Sequence, residues 1–342
     1  MDANEKFELI TRDLAEIINN DKLKTLLEKK DMTVYWGTAP TGRIHIGYLI
    51  PFCKLADFLS TGAKVKILIA DIHAFLDSQK TPEELLKLRS QYYEVVIKES
   101  LKALKVPVDK LEFVRGSDYQ LSKEFTLDLY RFANITTISE AKKAGAEVVK
   151  QDDNPKMAPL LYPLLQALDE EYLKVDAQFG GMDQRKIFVL AHEYLPKLGY
   201  EQRIHLMNPM MPGLTGEKMS ASIESSKIDL LDPPEVIKSK MQKAFCGETV
   251  EGNGVLVFAK AVLFPYFERI KSTFKISRPE KFGGDLVFNN YKELEEAFLA
   301  KKLHPLDLKN AIAESLIGIL DPVRETFKAE KNKKLLEDAY KK

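Results

Sequence analysis

The sequence predicts an α/β protein in which a doubly wound parallel sheet is followed by an α-helical C-terminal domain. Three observations carry this. Short runs of β-branched and aromatic residues alternate with helical patterns as far as Leu206, the signature of a parallel sheet covered on both faces. From about Leu231 the alternation stops and most of the chain reads as helix. The 342 residues exceed one ordinary domain and suit two.

Residues 4–30 read as two amphipathic helices. Thr33–Tyr35 then starts a strand, followed by the turn Gly37-Thr38-Ala39-Pro40-Thr41-Gly42 and a helix from about Gly47 to Ser60. A second apolar run, Val65 to Ala70, follows Thr61-Gly62. A long helix extends from Pro82, suited to a first-turn position, to about Ala103. Leu111–Val114 is the third strand, and helices follow from Ser122, a good N-cap. Val175–Phe179 is the fourth strand, closed by Gly180-Gly181, then residues 183–195 are helical and Arg203–Leu206 is the fifth strand. Pro233 and Pro234 open the helical part and place a boundary near 225–232, giving domains 1–228 and 229–342. Ligands of such sheets bind at the carboxyl ends of the strands, where the winding reverses.

Apolar residues make up 45% and charged residues 30%, the profile of a soluble protein with a substantial core. No run of roughly 18 apolar residues occurs, so no membrane span is expected. The acidic, amphipathic start MDANEKFELI is unlike a secretory signal. Cys53 and Cys246 lie far apart without CxxC spacing; they predict no metal site and fit a reduced, cytoplasmic setting. The 51 basic and 51 acidic residues cancel, so RNA contact would need local patches rather than a basic surface.

Two stretches suit phosphate chemistry. Ala39-Pro-Thr-Gly-Arg-Ile-His-Ile-Gly-Tyr48 lies between a strand and a helix, where small residues admit a ligand to the backbone and the helix N-terminus favours an anion. His45 can donate to phosphate oxygens; alone, the string serves equally as a βα turn with a structural histidine. Gly216-Glu-Lys-Met-Ser-Ala-Ser222 offers a lysine and two hydroxyls for a loop closing on a triphosphate. Alone it reads as a solvated linker. A third stretch, Tyr162-Pro-Leu-Leu-Gln166-Ala-Leu-Asp169, places positions 162, 166 and 169 within about one-sixth of a helical turn. Leu161, Leu164, Leu165 and Leu168 occupy the other side as core, and the Tyr–Gln–Asp stripe alone reads as a solvated face.

Together and in this order, the first two stretches resemble the HIGH and KMSKS signatures of class I aminoacyl-tRNA synthetases. Tyr48 stands where the first signature has its second histidine, and Ala221 where the second has its penultimate lysine. The resemblance therefore carries to His45 and Gly47, and to Lys218, Ser220 and Ser222.

Over almost the whole chain the sequence is similar to the archaeal and eukaryotic type of tyrosyl-tRNA synthetase. The similarity is carried by Val34 to Gly37, Ala70 to Ala74, Leu161 to Lys186 and Leu303 to Lys309. It implies a Rossmann-like catalytic domain with a helical insert, and an anticodon-binding domain beyond it. It also implies that Tyr35, Tyr162, Gln166, Asp169 and Gln184 line a tyrosine pocket. The chemistry fits, because a buried phenol both donates and accepts, as Tyr35 and Asp169 can satisfy, while Tyr162, Gln166 and Gln184 take the ammonium and carboxylate. Phenylalanine would leave these groups unpaired; tyrosine-specific synthetases are the usual illustration of that rule, which makes an editing domain unnecessary.

By the same resemblance ATP, with Mg²⁺, meets Gly37, Gly42, His45, Gly47, Gly181, Asp183, Lys218, Ser220 and Ser222. His45 and Lys218 are the catalytic residues, stabilising charge on the phosphates. Asp183 is the partner of a ribose hydroxyl or a helix cap, and His73 a pocket-wall or packed core histidine. Arg185 and Lys186 match residues near the first base pair of the tRNA acceptor stem. Phe282, His304 and Asp307 match residues that read the anticodon; without the resemblance they read as core packing and helix capping. A homodimer through the insert around residues 110–155 is expected. A tryptophanyl-tRNA synthetase shares both signatures, but indole is a donor only and does not suit Tyr35 with Asp169. A small HxGH nucleotidylyltransferase lacks the long helical tail, and a non-catalytic relative should have lost His45 or Lys218.

Overall fold

A computed structural model describes residues 1–77, 81–149, 156–210 and 227–341. All five expected strands form. They are β2 (Thr33–Thr38), β3 (Lys64–Ile69), β4 (Leu111–Arg115), β5 (Ala177–Gly181) and β6 (Ile204–Asn208), which run parallel. A further strand, β1 (Glu16–Ile18), joins the edge antiparallel to β6, with Ile17 opposite Leu206. It arises between α1 (Ala3–Thr11) and α2 (Asn20–Leu27), where the sequence pattern shows only two helices. Asp13 and Asn19 bracket it in left-handed conformations, φ 57° and 63°, which these residue types tolerate. The Asn19 amide donates to the Arg203 carbonyl at 2.7 Å and the Ala15 N–H to Met207 at 2.8 Å, so long-range bonds extend this segment.

The strand order is β1-β6-β5-β2-β3-β4. The chain leaves β2 in one direction through β3 to β4, then returns to build β5 and β6 on the other side. The winding reverses between β2 and β5, and their carboxyl ends, Gly37-Thr38 and Gly180-Gly181, flank the crevice that binds ligands in such sheets.

Side-chain alternation in β2 sends Val34 and Trp36 into the main core, with Phe52 and Phe58 of α3 (Leu49–Ser60). Tyr35 points to the opposite face, beside Leu68. Over that side lie α4 (Asp71–Leu76) and the helices that follow α5 (Glu83–Ala103). These are α6 (Lys123–Ile135), α7 (Ile138–Gly145), α8 (Ala158–Tyr172) and α9 (Arg185–Tyr194). Ser122 caps α6 by accepting the Phe125 N–H at 3.2 Å, and Thr137 with Glu140 forms a capping box on α7.

The C-terminal part comprises α10 (Pro234–Lys243), α11 (Gly254–Phe258), α12 (Phe264–Arg269), α13 (Tyr291–Leu299), α14 (Pro305–Thr326) and α15 (Glu330–Ala339). A short hairpin, β7 (Phe274–Ile276) with β8 (Leu286–Phe288), interrupts the helices. Ile312 and Leu316 of α14 share one core with Val96 and Ile97 of α5. Among the described residues no helix is long and apolar enough to cross a membrane.

Candidate active site

The polar stripe of α8 is not a solvated face. Asp169 is fully buried, and Tyr162 and Gln166 are nearly so, like Leu164, Leu165 and Leu168 on the other side. A helix buried all round still places three polar groups on one line, where each must find a hydrogen-bond partner in the interior. Tyr162, Gln166 and Asp169 line a small cavity together with Tyr35, His73, Gln178 and Gln184. The register of the sheet sets Tyr35 directly beside Gln178.

Inside this cavity the hydrogen bonds are unevenly shared. Gln166 donates from Nε2 to Gln184 Oε1 at 2.8 Å, and the Tyr35 hydroxyl donates to the Gln166 carbonyl at 3.2 Å. Asp169 Oδ1 accepts from the Tyr119 hydroxyl at 2.6 Å and from Gln120 Nε2 at 2.7 Å. Its other oxygen, Oδ2, has no hydrogen-bond partner and lies 3.8 Å from His73 Nε2. Both His73 nitrogens and Gln178 Oε1 are also buried without partners. Burial pushes the Asp169 carboxyl up to about 7, against the opposing pull of Tyr119 and Gln120, and pushes His73 down to about 3. Tyr35 and Asp169, which the sequence reading assigns to one phenol, line the same cavity. Tyr119, Gln120 and Gln178 went unnoticed in the sequence. Gln178 carried one signal, a polar side chain in a central parallel strand.

An open cleft of about 490 Å³ adjoins the cavity and shares Gly37, Thr38, Ala39, Tyr162 and Gln184 with it. His45, Gly47, Tyr48, Gly181 and Asp183 line the cleft. His45 caps the short turn Ile46–Tyr48, its Nδ1 accepting the Gly47 N–H at 3.2 Å. The neutral ring therefore bears its proton on Nε2 and remains a donor. Burial, with Lys227 nearby, pushes His45 down to about 4 and keeps it neutral. Tyr48 packs edge-on to His45, Trp36 and Tyr93, so the departure from the family signature fills an aromatic cluster.

The loop before His45 is held by its carbonyls. Thr81 donates to Pro40 at 3.1 Å, Arg89 to Thr41 at 2.6 Å, and Tyr93 and Tyr340 to Gly42 at 2.7 and 2.9 Å. A Cβ at Gly42 would meet nothing within 4 Å. Arg43 pairs with Asp229 at 2.8 Å, and the Ile46 N–H bonds the Ile228 carbonyl at 2.9 Å. The chain just after the second signature is thereby tied to the first. Lys218, Ser220 and Ser222 themselves lie outside the described residues.

At the other strand end, two side chains approach glycine backbone closely. A Cβ at Gly181 would lie 2.5 Å from Asp183 Oδ1, and one at Gly180 2.8 Å from Gln184 Oε1. The two side chains fold against bare backbone, which places Asp183 in the cleft and Gln184 between cleft and cavity.

The residues expected to meet RNA lie elsewhere. Arg185 is paired in two bonds with Glu16 of β1, at 2.6 and 2.8 Å, and Lys186 with Glu147 at 2.7 Å. Phe282 is 61% exposed, which excludes core packing. His304 caps α14, accepting the Leu306 N–H at 3.1 Å, and Asp307 occupies the first turn. Arg278 donates to the Gly284 and Lys302 carbonyls, both at 2.9 Å, tying the Phe282 turn to the residues before His304.

Comparison with known proteins accords with this geometry. The family model for class I tRNA synthetases (W and Y) matches residues 27–321. The cytoplasmic tyrosine–tRNA ligase of Danio rerio is 56% identical over 99% of the chain, which spans 64% of that protein's length. The Saccharomyces cerevisiae protein of the same name is 51% identical over 96% of the chain and 85% of its own length. The structure of tyrosyl-tRNA synthetase complexed with L-tyrosine from Archaeoglobus fulgidus has a TM-score of 0.88 at 39% identity, covering 95% of this chain and 99% of that one. A sheet whose winding reverses beside His45 and Asp183, together with these matches, places the chain in the class I tRNA synthetase family of the tryptophan and tyrosine type.

Proposed function

We propose that the chain activates tyrosine with ATP and transfers it to tRNA(Tyr). The observation that carries this reading is the fully buried Asp169, with one carboxylate oxygen unpartnered in a cavity that also holds the Tyr35 hydroxyl. A phenol can donate to Asp169 Oδ2 and accept from Tyr35, whose hydroxyl turns to it from the Gln166 carbonyl, whereas indole has only a donor to offer. The amino acid's polar end then faces Tyr162, Gln166 and Gln184, at the wall shared with the cleft. ATP, entering with Mg²⁺ as part of the substrate, occupies the cleft with its ribose at Asp183.

The tyrosine carboxylate attacks the α-phosphorus of ATP, giving tyrosyl-adenylate and pyrophosphate. The terminal ribose hydroxyl of tRNA then attacks the acyl carbon and releases AMP. Neither step needs a protein nucleophile. Alignment in adjoining sites and charge stabilisation by the neutral His45 donor and Lys218 supply the catalysis. In this reading residues 1–228 form the catalytic domain and 229–342 the anticodon-binding domain. Arg185 and Lys186 exchange their partners Glu16 and Glu147 for the acceptor stem, and Phe282, His304 and Asp307 meet the anticodon. The chain acts in the cytoplasm as a homodimer. Support for the dimer comes from the exposed Leu121, Leu127, Tyr130 and Ile138 on and beside α6, since such a cluster on one insert suits an interface. The test is charging of total tRNA with each of twenty labelled amino acids. Label should enter tRNA with tyrosine alone; charging with tryptophan would move the chain to the other branch of the family.

A further inference from the structure

Asp169 is held by a turn that no part of the sequence pattern brings near it. After β4 the chain makes a tight turn, Gly116–Asp118, and the Tyr119 and Gln120 N–H groups bond back to the Gly116 carbonyl at 3.2 and 2.8 Å. Asp71, at the start of α4, fastens this turn. Its Oδ1 accepts the Ser117 N–H at 2.9 Å and its Oδ2 the Ser117 hydroxyl at 2.5 Å. A Cβ at Gly116 would lie 2.5 Å from Gln120 Oε1, so glycine there leaves room for the Gln120 side chain. The Tyr119 ring is stacked on Tyr172 and set edge-on to Phe125. Neither Tyr119 nor Gln120 lines the cavity; they stand behind Asp169 and both bond the same oxygen.

We propose that Tyr119 and Gln120 are specificity-determining positioning residues: by occupying Oδ1 together they fix Asp169 Oδ2 in the cavity as the acceptor for the substrate phenol. The proposal rests on the tyrosine reading above. Two donors on one oxygen leave the carboxylate no low-energy rotation, so the unpartnered oxygen is oriented before the ligand arrives. They also favour the ionised carboxylate against burial, which otherwise drives it neutral. The other groups facing Asp169 are Tyr35 from β2, His73 from α4, and Tyr162 and the adjacent Glu170 on α8 itself. Glu170 is engaged with His205 at 2.7 Å. Burial pushes Tyr35, Tyr119 and Tyr162 far up and His73 down to about 3. None of those four changes charge near neutrality.

The experiment is pyrophosphate exchange by the wild type and by Tyr119→Phe, which keeps the stacked ring and removes only the hydroxyl. Loss of one hydrogen bond to a charged group should lower kcat/KM for tyrosine about tenfold. The value for phenylalanine should stay within about twofold, so discrimination falls. The acid limb of the tyrosine profile should move to higher pH, because kcat/KM reports the free enzyme's group. Gln120→Met should do the same, and it carries the test if Tyr119→Phe does not fold. Equal losses for both amino acids with an unmoved acid limb, in whichever variant folds, overturn the proposal. A wild type with no preference for tyrosine would instead sink the tyrosine reading itself.

Discussion

Replacing Asp169 with asparagine should make the protein more stable and less active, by an amount that depends on pH. Burial holds this carboxyl up at about 7, against about 3.9 for an exposed aspartate. At about 1.4 kcal/mol per pH unit, ionising it inside the folded chain therefore costs roughly 4 kcal/mol. The folded state binds the proton more tightly than the unfolded state. Stability is thus lost as pH rises from about 4 through about 7, and the loss levels off above that. A neutral amide at this position would carry no such cost. The stability gap between variant and wild type should widen by roughly 2–3 kcal/mol from pH 5 to pH 8. His73, pushed down to about 3, stays neutral over this range and leaves the comparison clean. Urea unfolding of both proteins at several pH values measures the gap. In parallel, kcat/KM for tyrosine should fall at least tenfold, since a carboxylate acceptor has been removed. A gap that does not change with pH would show that Asp169 is not a buried ionisable group, and the account of the pocket would fail.

Three further outcomes are expected. His45→Ala and Lys218→Ala should each slow adenylate formation by about 10²-fold or more while leaving tyrosine affinity nearly unchanged, as measured by single-turnover kinetics and equilibrium binding. Gly181→Ala should weaken ATP through KM, because the new Cβ displaces the Asp183 carboxylate that would lie 2.5 Å away; an unchanged KM would remove Asp183 from the ribose site. His304→Ala and Asp307→Ala should spare adenylate formation and reduce charging about tenfold in an anticodon-dependent way, read by aminoacylation of transcripts with altered anticodons. Equal loss on every transcript would point to lost capping of α14 instead.

Much of the sheet was legible because parallel strands buried on both faces leave short β-branched runs between helical patterns, as at Val65–Ala70. β1 was not, because three residues between two helices carry no period, and only pairing with β6 extends them. The β7–β8 hairpin was hidden for the same reason. In the site, helical spacing aligned Tyr162, Gln166 and Asp169, but only burial separated a pocket from a solvated face. Tyr119 and Gln120 sit on an irregular turn and reach Asp169 across a separation of about fifty residues. No local pattern encodes such a contact.

The most direct test of the central claim is amino-acid-dependent ATP–pyrophosphate exchange by the purified chain without tRNA. It isolates the chemistry assigned to the crevice between β2 and β5. Tyrosine should support rapid exchange, with phenylalanine and tryptophan slower by several orders of magnitude. Exchange driven equally by tryptophan, or by none of the twenty amino acids, would contradict the assignment of Asp169 and Tyr35 to a substrate phenol.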